Sequence, residues 1–276
     1  MTERTEKQYL SPTQLDMFCR CAEQYRRRYI EGEKLPPGIA MLKGSGFHQG
    51  AAVNMRQKIE SHQDLPPSQI VDAATAAFEA AAHGDVMLTH EEAGRGSQIV
   101  IGEATDSLVG MAHCHAKKQA PEYQPVIVEH KIRVELPTAP RDLLGIIDLA
   151  DDQDRVVDFK TAGRKKSQGD VDSSVQLTTY AAAYHAHTGH EPSEVRLDTV
   201  VQTKTKTDRQ ALSSARGPLD FAALCHRINT VAAAIEAGSF PPVDPGHWVC
   251  DPKWCGYFRT CQFVNPSRGR PRAQGD

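Results

Sequence analysis

No stretch of this chain approaches the ~20 consecutive apolar residues that a membrane-spanning helix requires. The opening residues, MTERTEKQYL, also lack the apolar core of a secretory signal, so a cytoplasmic setting is expected. Nor is there an excess of basic charge. A net charge of −3 argues against a wholesale polycationic nucleic-acid binder but leaves room for a local basic groove, because binding follows the local field. Internal repeats and an obvious linker are missing too. With 276 residues and a somewhat lean hydrophobic content of 39%, these absences leave a soluble globular chain of one or two domains, and the order of elements favours one.

What is present begins with seven cysteines: Cys19, Cys21, Cys114, Cys225, Cys250, Cys255 and Cys261. The last three fall in HWVCDPKWCGYFRTCQF, and such a cluster in a reducing compartment points to metal rather than to disulfides. Three thiolates are one short of a tetrahedral set. Cys114 and Cys225 stand singly in helix-like stretches and read as buried structural thiols.

Along the chain, SPTQL opens a helix with a Ser11 cap, a proline at the first position and a Gln14 capping box. Leu15, Phe18, Ala22, Tyr25 and Tyr29 then form its apolar stripe. A second helix is expected over 39–60, entered through a Gly-Ser-Gly turn, with further helices at 68–83 and about 95–118. From Val126 to Leu136 the period changes to two, placing Val126, Val128, His130, Ile132, Val134 and Leu136 on one face. Glu129 falls on the other. LLGIIDLAD and RVVDFKT read as two more strands, followed by the helix SSVQLTTYAAAYHAH, the strand EVRLDTVVQT and a helix from about 218 to 237.

Asp148 and Asp158 lie ten residues apart across that hairpin, and Asp158 shares a strand face with Lys160. Two carboxylates beside a lysine suit a hard divalent cation such as Mg²⁺ or Mn²⁺. Such a cation polarises a phosphoryl oxygen and acidifies water, while a lysine offsets charge developing in the transition state. Two Asp and a Lys near a turn also describe an ordinary solvated strand edge. Nearby features weigh against that. Gln176 and Tyr180 lie one helical turn apart, Arg164, Lys165 and Lys166 form a basic loop after Lys160, and His48 offers a nitrogen.

In the order GSGFH, GIID, DFKT and QLTTYA, the chain resembles the PD-(D/E)XK nuclease superfamily, most closely its RecB-like iron–sulfur exonuclease branch, which includes CRISPR-adaptation nucleases and phage recombination exonucleases. The resemblance spans residues 11–263. It implies an α/β fold with a central mixed sheet flanked by helices, a restriction-endonuclease-like core. A single nuclease domain over 1–265 would comprise a helical part (10–120), a catalytic core (121–240) and a cysteine segment (241–265), with a disordered tail from 266. It further implies His48, Asp148 and Asp158 as metal ligands, Lys160 as the catalytic lysine and Gln176 with Tyr180 as supporting residues. Glu129 matches an upstream acidic position, although a plain exposed strand carboxylate remains open. The second acidic position is Asp158 where this branch often has Glu.

The same branch carries one cysteine early and three late. LDMFCRCAEQY matches the early pattern through Leu15, Phe18, Cys21 and Tyr25, with Ala22 in place of the usual proline. The resemblance thus nominates Cys21, with Cys250, Cys255 and Cys261, for a [4Fe–4S] cluster; Cys19 is the rival and zinc the alternative occupant. Joining Cys21 to Cys250 would close a loop of about 229 residues, worth roughly 5 kcal/mol of denatured-chain entropy. Trp248, Trp254, Tyr257 and Phe258 are expected to shield the cluster.

Arg26 and Arg27 of YRRRY, the loop at 164–166 and KTKTDR at 204–209 are candidate phosphate contacts, with solvated charge as the plain alternative. AHCHA at 112–116 is read as structural, in an exposed-looking helix. The resemblance implies a metal-dependent DNA exonuclease acting in recombination, repair or phage DNA processing, similar to phage-encoded stand-alone enzymes. DNA would be its partner, alongside a recombination protein or a second copy of the chain. The rivals are a structure-specific endonuclease on the same fold and a catalytically idle DNA-binding adaptor.

Overall fold

The computed structural model describes residues 8–137 and 139–264; the tail expected to be disordered from 266 lies outside them. A short strand β1 (Tyr9–Leu10) leads into α1 (Pro12–Arg20), whose Ser11–Gln14 capping box forms as the sequence predicts. The expected single helix then breaks. Cys21 is extended (φ −163°, ψ 104°), after which α2 (Ala22–Tyr25) passes into a π-helical turn over Arg26–Ile30. The carbonyl of Cys21 accepts from the Gln24 amide at 3.0 Å, starting the new helix.

Next come α3 (Ile39–Ser61), α4 (Pro67–Ala82), the short α5 (His90–Arg95) and α6 (Ser97–Cys114), which runs into a π-helical turn at His115–Gln119. The Gly-Ser-Gly run is not a turn before α3 but part of its interior. Its purpose is close packing. A Cβ on Gly46 would lie 2.8 Å from the Ala74 carbonyl oxygen, and one on Gly50 would lie 2.7 Å from that of Ile70, so glycine lets α3 touch the α4 backbone.

The sheet comprises β1, β2 (Pro125–Val134), β3 (Asp142–Asp151), β4 (Arg155–Ala162), β5 (Glu194–Gln202) and β6 (Thr207–Ser214). β2 pairs antiparallel along nearly all of β3. On the opposite edge of β3, β1 pairs in parallel at Asp142–Leu143, and β4 pairs antiparallel only at Leu149–Ala150. A long parallel ladder joins β4 to β5, and β5 pairs antiparallel with β6. Strand β6 has no apolar alternation, which is why its sequence reads only as a basic stretch.

Between the strands lie α7 (Gln168–Asp172) and α8 (Val175–Thr188), and α9 (Pro218–Glu236) closes the ordered core. Helices α3, α4 and α6 cover one sheet face over Leu149, Val157, Phe159 and Val200. On the other face α8 packs over Ile132, Ile147, Ala150, Val156 and Val195. A third cluster joins Leu10, Leu15 and Tyr25 to Leu143 and to Leu224, Ile228 and Val231 of α9. The result is a mixed six-stranded sheet between helical layers, the α/β class expected from the sequence.

Two burial expectations fail. Cys225 is exposed on α9 rather than buried, and the AHCHA helix is not exposed, since Cys114 and His115 sit in the core with only His113 in solvent. A Gly50→Ala substitution is expected to destabilise the protein by roughly 1–3 kcal/mol through overpacking of α3 on α4. Chemical denaturation of the two proteins checks this.

Candidate active site

β3 has only two edges, and β2 occupies one of them throughout. The other is shared by β1 and β4 at its two ends, so the backbone of β3 is left open between Leu143 and Leu149. Asp148 sits in that opening. Its Oδ2 accepts the Phe159 amide at 2.9 Å, so a side chain takes a hydrogen bond where strand pairing stops.

Glu129 reaches the same place by a local distortion of β2. Its φ of +46° is unusual for a residue with a side chain and costs about 1–3 kcal/mol. Val126 is an extra residue where the pairing slips between Pro125 and Ile127, and it is 50% exposed. Across Glu129 the alternation reverses. Val128 packs with the α3–α4–α6 cluster, whereas Ile127, Ile132 and Val134 pack with α8. The regular alternation read from the sequence therefore does not hold over the whole strand.

His48, in the middle of α3, closes the group. Its Nδ1 is 3.5 Å from Asp148 Oδ2 and 3.7 Å from Glu129 Oε1. Donor atoms of His48, Glu129 and Asp148 all lie within 4.8 Å of one another. Asp158 stands beside this group and not within it, because Lys160 Nζ holds its Oδ1 at 2.9 Å. On the α8 side, Gln176 Nε2 donates to the Tyr180 hydroxyl at 2.8 Å.

The electrostatics bind these residues into one unit. Burial, then the charge of Asp158, lifts the Asp148 carboxyl to about 8. Burial pushes the His48 imidazole down, but Glu129 and Asp148 outweigh it and the net shift is upward. Lys160 behaves likewise: burial opposes its charge, and Asp158 and Asp148 prevail to raise it. Burial, reinforced by the charges of Asp148 and Asp158, keeps the Tyr180 phenol protonated. A buried carboxyl whose ionisation is opposed by burial and a neighbouring charge, beside a second carboxylate and an imidazole nitrogen, is a donor set that a divalent cation satisfies.

The proposed phosphate contacts divide. Arg164, Lys165 and Lys166 are exposed in the loop after β4. Arg26 and Arg27 are not available as the sequence reading supposed. Arg26 is bridged to Glu23 and Glu31, while Arg27 is buried, pairs with Glu33 and donates to Thr260 Oγ1 at 2.7 Å. In the 204–209 stretch, Arg209 pairs with Asp198 and Glu122, and Lys206 with Asp208. Glu23, Glu31, Glu33 and Asp208 stand close in sequence to the cations they pair with, within reach of local spacing, whereas Glu122 is remote from Arg209 and gives no such sign.

A second centre lies at the break between α1 and α2. Cys21, Cys250, Cys255 and Cys261 line one cavity together with Gln24 and Arg27, whereas Cys19 is exposed. Burial raises the Cys255 thiol, and the nearby Cys21 and Cys261 add to the effect. Four soft donors around one cavity, with the Arg27 guanidinium close to Cys261, fit a thiolate-held metal group. Among the described residues, no three of these sulfurs lie within 4.8 Å of one another. A single tetrahedral zinc, with bonds of about 2.3 Å, needs sulfurs about 3.8 Å apart.

Shielding of this centre is only partly as expected. Tyr257 and Phe258 are buried at 5%, but Trp248 and Trp254 are each 59% exposed. Gly256 lets the segment seat on Leu35 and Met87, since a Cβ there would collide with the Leu35 side chain.

The sequence profile of the PD-(D/E)XK nuclease superfamily matches residues 9–262, and the chain belongs to that superfamily. Among solved structures it is similar to one named "Putative exonuclease" from Eubacterium rectale, with 12% identity and a TM-score of 0.52. The match covers 99% of this chain and 93% of that one, a likeness of fold. It also matches the structure of SSO0001 at 12% identity and a TM-score of 0.41, over 98% and 91% of the two chains. No curated protein matches the chain. Among the described residues, no helix is long and apolar enough to cross a membrane.

The raised Asp148 carboxyl makes a signed prediction. Its folded value lies above the ordinary 3.8, so this group favours the metal-free fold at low pH and disfavours it as pH rises from about 4 towards 8. Asp148→Asn, which retains an acceptor for the Phe159 amide, is expected to stabilise the metal-free protein at pH 8 by a few kcal/mol. It should also abolish the thermal stabilisation that Mn²⁺ gives the wild type. Thermal unfolding with and without Mn²⁺ at pH 6 and pH 8 checks both effects.

Proposed function

We propose that the chain is a Mg²⁺- or Mn²⁺-dependent deoxyribonuclease that degrades DNA from its ends, in recombination, repair or phage DNA processing. The observation that carries this reading is the meeting of His48, Glu129 and Asp148 beside the Asp158–Lys160 pair at the opening between β3 and β4. His48, Glu129, Asp148 and Asp158 would hold the cation, with Glu129 given more weight than its sequence position alone suggests. Bound there, a divalent cation supplies Lewis acidity to a phosphoryl oxygen and makes water a stronger nucleophile at neutral pH.

The remaining steps fall to the protein's own groups. Lys160, held charged by its two aspartates, orients water and offsets negative charge as the phosphorus becomes five-coordinate. Tyr180 keeps its proton and, with Gln176, presents a hydrogen-bonding edge to the scissile phosphate's surroundings. Arg164, Lys165 and Lys166 give the backbone a charged approach, while Arg26 and Arg27 are assigned to structure. End-dependent action follows the family resemblance and the name of the similar bacterial structure. An idle adaptor is disfavoured by the intact group of three acidic residues, lysine and histidine.

Cys21, Cys250, Cys255 and Cys261 are assigned to a [4Fe–4S] cluster. Supporting it is the convergence of the four cysteines on one cavity; the choice over zinc follows the family resemblance and a lone early cysteine followed by C-x₄-C-x₅-C in place of two tight pairs. The cluster would clasp the N-terminal helices to the C-terminal segment.

On linear end-labelled DNA, Lys160→Ala is expected to lower kcat by about 10²–10³-fold with Mg²⁺ or Mn²⁺. Closed circular DNA should survive the wild type, and nicked circles would favour an endonuclease instead. Anaerobic protein should be brown, with a broad cluster absorbance that Cys21→Ser abolishes and Cys19→Ser leaves in place. An equimolar zinc content without that absorbance would overturn the cluster assignment.

A further inference from the structure

The chain contains just two tryptophans, and both stand in the cysteine segment with 59% of their surface in solvent. Their rings meet edge to face, with centroids 5.9 Å apart and planes at 84°. Both indoles stay largely in solvent despite this contact. His247 lies against Trp248 at 5.6 Å, and Lys253 Nζ sits 5.1 Å from the centre of Trp254.

The base beneath them is fixed. Val249 is buried at 2%, the Tyr257 hydroxyl donates to the Glu33 carbonyl at 2.6 Å, and Arg27 anchors Thr260. Rings mounted on such a base lose little freedom when they bind. The local acids Asp244 and Asp251 are exposed as well, each with its Oδ1 accepting a nearby backbone amide, of Gly246 and of Lys253. The exposed cations of the segment are Lys253, over the Trp254 ring, and Arg259.

We propose that Trp248 and Trp254 form a stacking platform for the unpaired bases of single-stranded DNA, with Lys253 serving the adjacent phosphates. The choice of partner rests on the nuclease reading. It is supported by the surface itself, since flat π faces flanked by cations match a strand of bases on a polyanionic backbone. An apolar protein face, a second copy of the chain included, would bury Lys253 at a loss. The platform lies outside the carboxylate centre and gives the enzyme a grip on a frayed or resected end.

Because no other tryptophan exists, fluorescence excited at the red edge, where tyrosine does not absorb, reports on this patch alone. In EDTA, where hydrolysis stops, an oligo-thymidylate about twenty nucleotides long is expected to quench it, whereas a blunt duplex of that length is not. Trp248→Leu and Trp254→Leu are each expected to weaken binding of the labelled oligonucleotide about 5- to 150-fold by anisotropy. Trp254→Phe, which keeps a stacking face, should stay close to wild type, and unchanged thermal midpoints would show that the variants fold. Absent quenching with unaltered affinities overturns the platform. So does quenching that grows with protein concentration in the absence of DNA, which would assign the face to self-association. Mg²⁺-dependent digestion of the same oligonucleotide is scored separately. Digestion without quenching sinks the platform alone, and quenching without digestion sinks the nuclease reading alone.

Discussion

The hydrogen bond from the Phe159 amide to the Asp148 carboxylate organises the centre of this molecule. A strand amide that would otherwise pair with its neighbour is satisfied by a side chain, so β3 and β4 can separate without leaving a buried donor orphaned. That separation makes room for charge inside a sheet whose two faces are covered by helices. It also fixes Asp148 where burial opposes its ionisation, close to Asp158, Glu129 and His48. The fold thereby keeps a carboxyl where its ionisation is destabilising, the exchange of stability for chemistry that functional sites commonly show.

The second organising constraint joins the ends of the chain. The helix break at Cys21 turns its thiol towards a cavity that Cys250, Cys255 and Cys261 complete. Arg27 secures the same junction by hydrogen bonds to Tyr257 and Thr260, more than 200 residues away in sequence. An arginine that reads as a phosphate ligand serves instead as a bracket for the sulfur site. The basic run YRRRY thus belongs mainly to architecture, and an exposed basic run lies instead at 164–166, in the loop after β4.

Much of this was legible before any coordinates. Local signals such as the Ser11 cap, the long helices and the strands around Asp148 and Asp158 depend on neighbours a few residues away, and those elements form close to where they are expected. The chemistry-bearing side chains could be nominated by type and order, and four of them, His48, Glu129, Asp148 and Tyr180, do gather around the opening in the sheet. Strand β6 escaped notice because an edge strand with a polar face carries no apolar period. The glycines of α3 read as a turn in the sequence because glycine marks a turn and a close helix contact equally well.

The sequence by itself determined which donors and cations the protein owns, their order, and the local propensities that build helices and strands, since those depend on covalent neighbours and short-range periodicity. Only the tertiary structure decided how they are used. It reversed the face of β2 at Glu129 and drew Asp158 to Lys160 beside the histidine group. It tied Arg27 to Tyr257 and Thr260 at the far end of the chain and left two tryptophans in water. The reason is physical: burial, ion pairing and backbone strain are properties of contacts between distant segments, and no spacing along a chain encodes which contact will win.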